Sequence, residues 1–145
     1  LANGGKSIHS FIYAGDVASA IVRILSLIRS KGSEEFNLAI PQATTSRGFV
    51  DLASEVCGIE PTVISYQPEE FQIDTNNFDL KNVAFPFPAN NAYLSSEKIL
   101  HRLGFAPAYD LKSMLAEYYE WWMKGPNKTP KEYPLESRIK EAFGM

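Results

Sequence analysis

The chain opens with a strand-like pattern that changes into a helical one, which is typical of an α/β domain. Residues 7–14 hold closely spaced aromatic and β-branched positions, a composition that predicts a half-buried strand. Asp16 follows as the expected N-cap of a helix that ends near residues 31–32. The next apolar residues recur at spacings of three and four, which places them on one helix face: Val17, Ala20, Ile21, Ile24, Leu25 and Ile28.

The middle of the chain continues as strand, helix and strand, and then becomes irregular. Strands are predicted over residues 35–39 and 62–66 because both runs are rich in residues that favour extended backbone. Between them, Thr45 or Ser46 can cap a helix that Gly58 ends. Residues 67–91 carry prolines and paired asparagines, and a connection of this length usually marks a binding loop, a lid or disorder.

Two further helices and a short terminal one complete the pattern. Ser95 or Ser96 starts a helix that runs to Gly104. A helix over residues 111–123 has the apolar face Leu111, Met114, Leu115, Tyr118 and Trp122. Residues 124–134 include three prolines and a glycine, and are predicted to be a spacer before a terminal helix marked by Leu135, Ile139 and Phe143. We therefore expect a domain over residues 1–123 and a tail over 124–145, whose helix is stable only when docked.

Composition narrows the class of protein without naming a function. The chain has 145 residues, of which 45% are hydrophobic, and a single cysteine, Cys57, so one domain without a disulfide framework is expected. The net charge of −3 is the sum of +2 over residues 1–49, −6 over 50–94 and +1 over 95–145. No segment is basic enough to predict backbone contacts to nucleic acid. No apolar run is long enough to span a bilayer, so we expect a cytoplasmic protein with no membrane contact.

The motifs expected of a self-sufficient dinucleotide enzyme do not occur in the sequence. A Gly-x-Gly-x-x-Gly fingerprint is missing, and no tyrosine is followed by a lysine four residues later. Gly5-Lys6-Ser7 looks like the end of a phosphate-binding loop, but a predicted strand follows it where that motif needs a helix, so a turn is favoured. The two histidines and the single cysteine are too few for a predicted metal site, and no catalytic residue is assigned.

Several segments, taken in order, resemble a known family. They are residues 5–20 with their Asp-Val-Ala helix start, residues 35–39, residues 44–58, and residues 94–107 with a Leu-Gly-Phe-Ala-Pro turn. Together they resemble the C-terminal, substrate-binding half of the extended short-chain dehydrogenase/reductases, the NAD-dependent epimerase/dehydratase family. The resemblance implies a small sheet with packed helices that lacks the Rossmann cofactor half. It also implies NAD or NADP bound by that N-terminal half in a full-length protein, and no cofactor bound by this chain.

Within this family, a closer likeness is to the chloroplast stem-loop binding proteins and their bacterial relatives. Residues 65–71, residues 84–87 and residues 93–95 carry it. That subgroup is described as RNA-binding, so RNA is a possible partner. Sugar-nucleotide enzymes of the family typically clamp phosphates with two arginines, and the matching positions here are His9 and about Pro88. Their replacement argues against a nucleoside-diphosphate sugar as the substrate.

The resemblance also indicates where a small-molecule substrate would bind. The first strand and residues 88–93 should close over it, which makes the expected substrate-binding residues His9, Phe11, Tyr13, Asn90, Asn91 and Tyr93. Three functions stay open: the substrate-binding half of an atypical NAD(P)-dependent epimerase/dehydratase-like oxidoreductase, an RNA-binding protein on the same scaffold, and a non-catalytic dimerisation or docking unit. Without the missing Rossmann half, the isolated chain should self-associate through its uncovered apolar face.

Overall fold

The structure is a computed structural model that describes residues 1–27, 33–71, 89–126 and 133–145. Over these residues it contains five α-helices and a two-stranded sheet. The helices are α1 (Ala14–Leu27), α2 (Ser46–Cys57), α3 (Glu97–Leu103), α4 (Leu111–Lys124) and α5 (Pro134–Ala142). Strands β1 (Ile8–His9) and β2 (Thr44–Thr45) pair antiparallel, with Ile8 opposite Thr45 and His9 opposite Thr44. The predicted α/β class is confirmed.

The strands are much shorter than the sequence predicts. Only Ile8–His9 of the first predicted strand pairs, and α1 already begins at Ala14. Residues 35–39 form no strand, and of residues 62–66 only Tyr66 makes a bridge, to Ala2. Aromatic and β-branched residues favour extended backbone, but a strand also needs a neighbouring backbone to pair with, which composition does not reveal.

Helix ends with local capping signals lie where the sequence predicts them. The Thr45 hydroxyl accepts a hydrogen bond from Gly48 N at 3.0 Å at the start of α2. Gly58 and Gly104 end α2 and α3 in the left-handed region, with φ of 65° and 61°, a conformation that glycine adopts without strain. The predicted end of α1 at residues 31–32 lies outside the described residues.

Asp16 differs from its predicted role as a helix N-cap. It lies inside the first turn of α1, is buried, and accepts hydrogen bonds from Ala108 N at 2.9 Å and Tyr109 N at 3.2 Å. Its carboxylate therefore joins α1 to the segment that precedes α4. A side chain that could cap its own helix instead accepts hydrogen bonds from backbone amides that are distant in the sequence.

Buried apolar residues form two clusters, which we call the cavity-side cluster and the terminal cluster. The cavity-side cluster contains Ala20, Ile99, Leu103 and Phe105. The terminal cluster contains Ala2, Tyr66, Leu135 and Ile139. Arg138 also donates a hydrogen bond to Phe71 O at 2.9 Å, so α5 is docked on other parts of the same chain. The boundary between residues 123 and 124 stays a prediction.

Some apolar helix positions are exposed. On α1, Val22 and Leu25 are 67% and 76% exposed. On α4, Tyr118 is exposed although the helical spacing predicts it on the buried face, and Phe143 after α5 is exposed as well. Within the described residues, we find no helix with the length and apolar character that crossing a membrane would require.

Candidate functional site

The first strand and the segment after residue 88 lie side by side, in a contact that we call the seam. Ser10 N donates to Ala92 O at 2.9 Å and Ala92 N donates to Ile8 O at 2.8 Å, which is a parallel bridge around His9. Leu94 N also donates to the Ser10 hydroxyl at 2.9 Å. The structure therefore brings together the two segments that were predicted to close over a substrate.

The predicted polar residues of the second segment have different surroundings. The Asn91 side-chain oxygen accepts a hydrogen bond from Ile8 N at 2.8 Å, so this amide helps to hold the seam. Asn90 is exposed at the start of the segment, and Tyr93 is 64% exposed. Pro88, the position matched to a phosphate-clamping arginine, lies outside the described residues.

His9 lies in a buried group of hydroxyls. Its Nε2 is 2.9 Å from the Ser46 hydroxyl and 3.1 Å from the Ser7 hydroxyl, and the two hydroxyls are 3.0 Å apart. Burial lowers the pKa of the imidazole, because desolvation disfavours its charged form. The ring is therefore held neutral, and its contact with Ser46 joins β1 to the start of α2. Direct contact between His9 and a substrate stays a prediction.

Phe11 and Tyr13 pack against aromatic rings of the same chain. The Phe11 ring stacks on Phe49 of α2 with 4.8 Å between centroids, and Tyr13 lies 4.4 Å from Tyr109. Desolvation and the nearby Glu117 carboxylate raise the pKa of the Tyr13 hydroxyl, which therefore stays protonated at neutral pH. These contacts position α2 and α4 against the first strand, and substrate contact by either ring stays a prediction.

A cavity of about 240 Å³ lies beside the seam, where three segments meet. Its walls come from residues 39–41, residues 93–97 with Leu100, and residues 105–107. Of the six predicted substrate-binding residues, Tyr93 lines this cavity. The other walls are mainly apolar side chains, among them Ile40, Leu94 and Phe105.

Each wall of the cavity is held by a hydrogen bond to a residue distant in sequence. The Ser96 hydroxyl accepts from Ala39 N at 2.6 Å and donates to Ala39 O at 2.9 Å, which fixes the first wall to the second. Ile40 N donates to Phe11 O at 2.8 Å. Asp16 binds the amides that directly follow the third wall. The cavity is therefore formed before any ligand arrives, which reduces the ordering cost of binding.

The sequence does not reveal most of the cavity residues. Ile40 and Phe105 have the pattern of ordinary core positions, and both are indeed largely buried. Pro41 and Pro107 are the available signal, because Pro41 follows a predicted strand and Pro107 lies in the turn after the predicted helix. The sequence alone does not show that these two turns meet.

Some charged side chains are paired, although none of the paired residues lines the cavity. Four ion pairs occur among the described residues: Arg47 with Asp51, Arg102 with Glu34, Lys112 with Glu55, and Lys124 with Glu120. Glu97 is the one charged residue among the described residues that line the cavity. Where the chain is described, no group of three or more potential metal ligands is present.

Comparisons with known proteins agree with the resemblance seen in the sequence. No protein-family model matches the chain. It is 31% identical over 119 residues to the chloroplast stem-loop binding protein of 41 kDa b from Arabidopsis thaliana, a match that covers 81% of this chain and 29% of that protein.

Solved enzyme structures, two of them epimerases, share the fold. UDP-glucose 4-epimerase from Bifidobacterium longum, in complex with NAD+ and UDP, matches with a TM-score of 0.64 and 17% identity, over 86% of this chain and 32% of that one. UDP-N-acetylglucosamine 4-epimerase from Bacillus cereus matches with a TM-score of 0.59 and 19% identity, over 86% of this chain and 35% of that one. WbmF from Bordetella bronchiseptica, in complex with NAD+ and UDP, matches with a TM-score of 0.58 and 18% identity, over 99% of this chain and 35% of that one.

The chain thus spans about a third of the length of the proteins that it matches. The matched region is the C-terminal part of the epimerase structures. The predicted resemblance is confirmed: this chain has the fold of the C-terminal part of the extended short-chain dehydrogenase/reductases and is similar in sequence to a chloroplast stem-loop binding protein.

Proposed function

We propose that this chain is the substrate-binding part of an NAD(P)-dependent, epimerase/dehydratase-like oxidoreductase. The observation that carries the proposal is the cavity beside the seam, whose three walls are held independently by Phe11, Ser96 and Asp16. A pre-formed apolar cavity next to exposed polar groups is the usual form of a small-molecule site. Two of the similar solved structures are complexes with NAD+, which supports a nicotinamide cofactor for the whole protein.

The described residues do not provide a site for that cofactor. The sequence has no glycine-rich dinucleotide fingerprint, and the Gly5-Lys6-Ser7 segment begins in a short 3-10 turn over Asn3–Gly5. A side chain at Gly5 would meet Arg47 N at 2.9 Å, so this glycine serves close packing on the start of α2. In our proposal, a further part of a longer protein holds the dinucleotide, which accepts or donates hydride when bound.

In this proposal, the residues of this chain bind and orient the substrate. The apolar walls enclose one of its groups, while Tyr93, which is exposed and lines the cavity, can contact its polar groups. We assign no proton transfer to this part, because neither His9 nor Tyr13 lines the cavity. We also propose that the protein is located in a reducing compartment such as the cytoplasm, because its single cysteine, Cys57, is free.

The test is a cavity-filling substitution in the longer protein that contains this chain. Leu100 is 45% exposed and lines the cavity, so Leu100→Trp should fill it without disrupting the core. We expect the KM for the reduced or oxidised substrate to rise by at least about tenfold, while the affinity for NAD+ stays unchanged. Ile59→Trp, at an exposed position outside the cavity, is the matched control. Absence of any nicotinamide-dependent turnover, or an equal effect of both variants, would refute the proposal.

RNA binding is the second candidate, and the similarity to a stem-loop binding protein favours it. Against a contact through the described residues, four of their basic side chains are already paired with carboxylates. Binding of a stem-loop RNA should be measured over a range of salt concentrations. A steep loss of affinity with salt that Lys6→Glu or Lys140→Glu weakens would favour this candidate, because released counterions report phosphate contacts.

The third candidate, a docking unit that uses the terminal helix, loses its main support. This candidate depends on the apolar residues Leu135, Ile139 and Phe143 being free to contact a partner. Leu135 and Ile139 are instead buried against Ala2 and Tyr66 of the same chain. Only Phe143 of that set is exposed.

A further inference from the structure

From the chemistry of its walls, we infer that the cavity beside the seam binds a small apolar group whose polar end is neutral or cationic, and that it discriminates against anions. The inference rests on the proposed function in one respect, namely that this cavity is a ligand site. It adds the class of ligand. No comparison with a known protein assigns such a preference.

The size and the walls of the cavity define the apolar part of the ligand. The walls include the side chains of Ile40, Pro41, Leu94, Leu100 and Phe105. The volume of about 240 Å³ is below the roughly 300–1,000 Å³ of sites that enclose a drug-sized molecule. A single ring or a short branched chain therefore fits, and the rest of a larger ligand would extend into solvent.

The charge of the lining defines the polar end. Glu97 is the one charged residue among the described residues that line the cavity. A carboxylate repels a bound anion, and the repulsion is strongest at low salt because Glu97 is at an exposed position. Tyr93, which lines the same cavity and is largely exposed, offers an aromatic face to a cation.

Neighbouring cations do not compensate for Glu97, because contacts elsewhere engage them. Lys98 donates a hydrogen bond to Glu35 O at 2.6 Å, and its ammonium lies 5.0 Å from the centre of the Phe36 ring. Arg102 pairs with Glu34 at 3.2 Å. Both cations of α3 are therefore bound to residues 34–36, a segment that does not line the cavity.

Three probes of similar shape test the inference: benzylamine, benzyl alcohol and benzoate, which differ mainly in charge. Their affinities for the 145-residue chain should be measured by protein-observed NMR titration at low salt. We expect benzylamine and benzyl alcohol to bind, with benzoate weaker than benzylamine by at least about tenfold. Glu97→Gln should bring benzylamine and benzoate to within about threefold of each other and leave benzyl alcohol unchanged. Glu60→Gln, at an exposed position outside the cavity, is the matched control.

The outcomes separate this inference from the function on which it rests. If benzoate binds as tightly as benzylamine, or if Glu97→Gln leaves their ratio unchanged, the ligand class is wrong while the cavity remains a site. If no probe binds, or if Leu100→Trp leaves every affinity unchanged, the cavity is not a ligand site and the proposed function fails with it. Circular dichroism checks that each variant is folded, and Leu94→Trp replaces Leu100→Trp if the latter does not fold.

Discussion

The cavity-side cluster and the terminal cluster are both buried, yet they are assembled in different ways. In the cavity-side cluster, Ala20 belongs to α1, Ile99 and Leu103 belong to α3, and Phe105 follows directly after α3. In the terminal cluster, Ala2 and Tyr66 meet Leu135 and Ile139, so both ends of the chain and its middle converge. The first cluster builds a wall of the candidate site, whereas the second holds the chain ends in place. Stability and ligand binding should therefore respond differently to damage in the two clusters.

The largest expected effects come from truncating one residue in each cluster. Ile99 and Leu135 are both fully buried, and Ile99→Ala and Leu135→Ala should each lower the free energy of unfolding by about 2–5 kcal/mol. Ile99→Ala should also weaken benzyl alcohol binding, while Leu135→Ala should leave it unchanged in molecules that remain folded. Urea unfolding and NMR titration measure the two effects.

Leu25→Ala is the control for both truncations, because Leu25 is 76% exposed and its loss should change stability by no more than about 0.5 kcal/mol. Equal weakening of probe binding by Ile99→Ala and Leu135→Ala would contradict the division of roles between the clusters.

A smaller effect is expected at Asp16, which links the cavity-side cluster to the third wall. Asp16→Ala removes the buried carboxylate that accepts from Ala108 N and Tyr109 N and should cost about 1–3 kcal/mol of stability. Asp16→Asn keeps one acceptor oxygen and should cost less. Urea unfolding measures both, with Asp51→Ala in the exposed pair with Arg47 as the control, at about 0–1 kcal/mol. An Asp16→Ala protein as stable as Asp51→Ala would show that this carboxylate does not hold the wall.

The pH dependence of stability tests the role of the buried His9 at the seam. Burial lowers the pKa of His9 in the folded state below its ordinary value of 6.5, so protonation favours the unfolded state. The stability contribution of neutral His9 is fully present above pH 6.5 and is lost as the pH falls towards the folded-state pKa. His9→Gln should remove this part of the pH dependence. The exposed His101→Gln is the control, and thermal unfolding at a series of pH values is the measurement. A wild-type protein that gains stability relative to His9→Gln on acidification would reverse the predicted sign.

The smallest effect on stability is expected on the exposed face of α1, which neither cluster covers. Val22 and Leu25 leave an apolar surface there, and we predict that the isolated chain self-associates through it. Leu25→Glu should shift the chain towards monomer in sedimentation equilibrium, and should change unfolding by no more than about 0.5 kcal/mol. Ser137→Glu, at an exposed position of α5, is the control for added charge. A wild-type chain that is monomeric at high concentration would disprove the prediction.

The bounds of helices with local capping signals could be predicted from the sequence, whereas the bounds of the strands could not. Thr45 and Gly58 act within one turn of α2, so its bounds follow from neighbouring residues. Tyr118 shows the limit of helical periodicity, because spacing defines a face without showing that something covers it. In the candidate site, Tyr93 was predicted and lines the cavity, while Ile40 and Phe105 were not predicted because their sequence pattern is that of ordinary core residues.

The sequence by itself determined the α/β class, the caps of α2 and α3, and the resemblance to one part of the dehydrogenase/reductases, because these depend on residues that are near each other or in a fixed order. Only the tertiary structure decided that Asp16 binds the segment before α4, that His9 is enclosed by two serine hydroxyls, and that the terminal helix packs on Ala2 and Tyr66. Apart from the contact of His9 with Ser7, these contacts join residues far apart in the chain, and local preferences carry no information about which distant groups will meet.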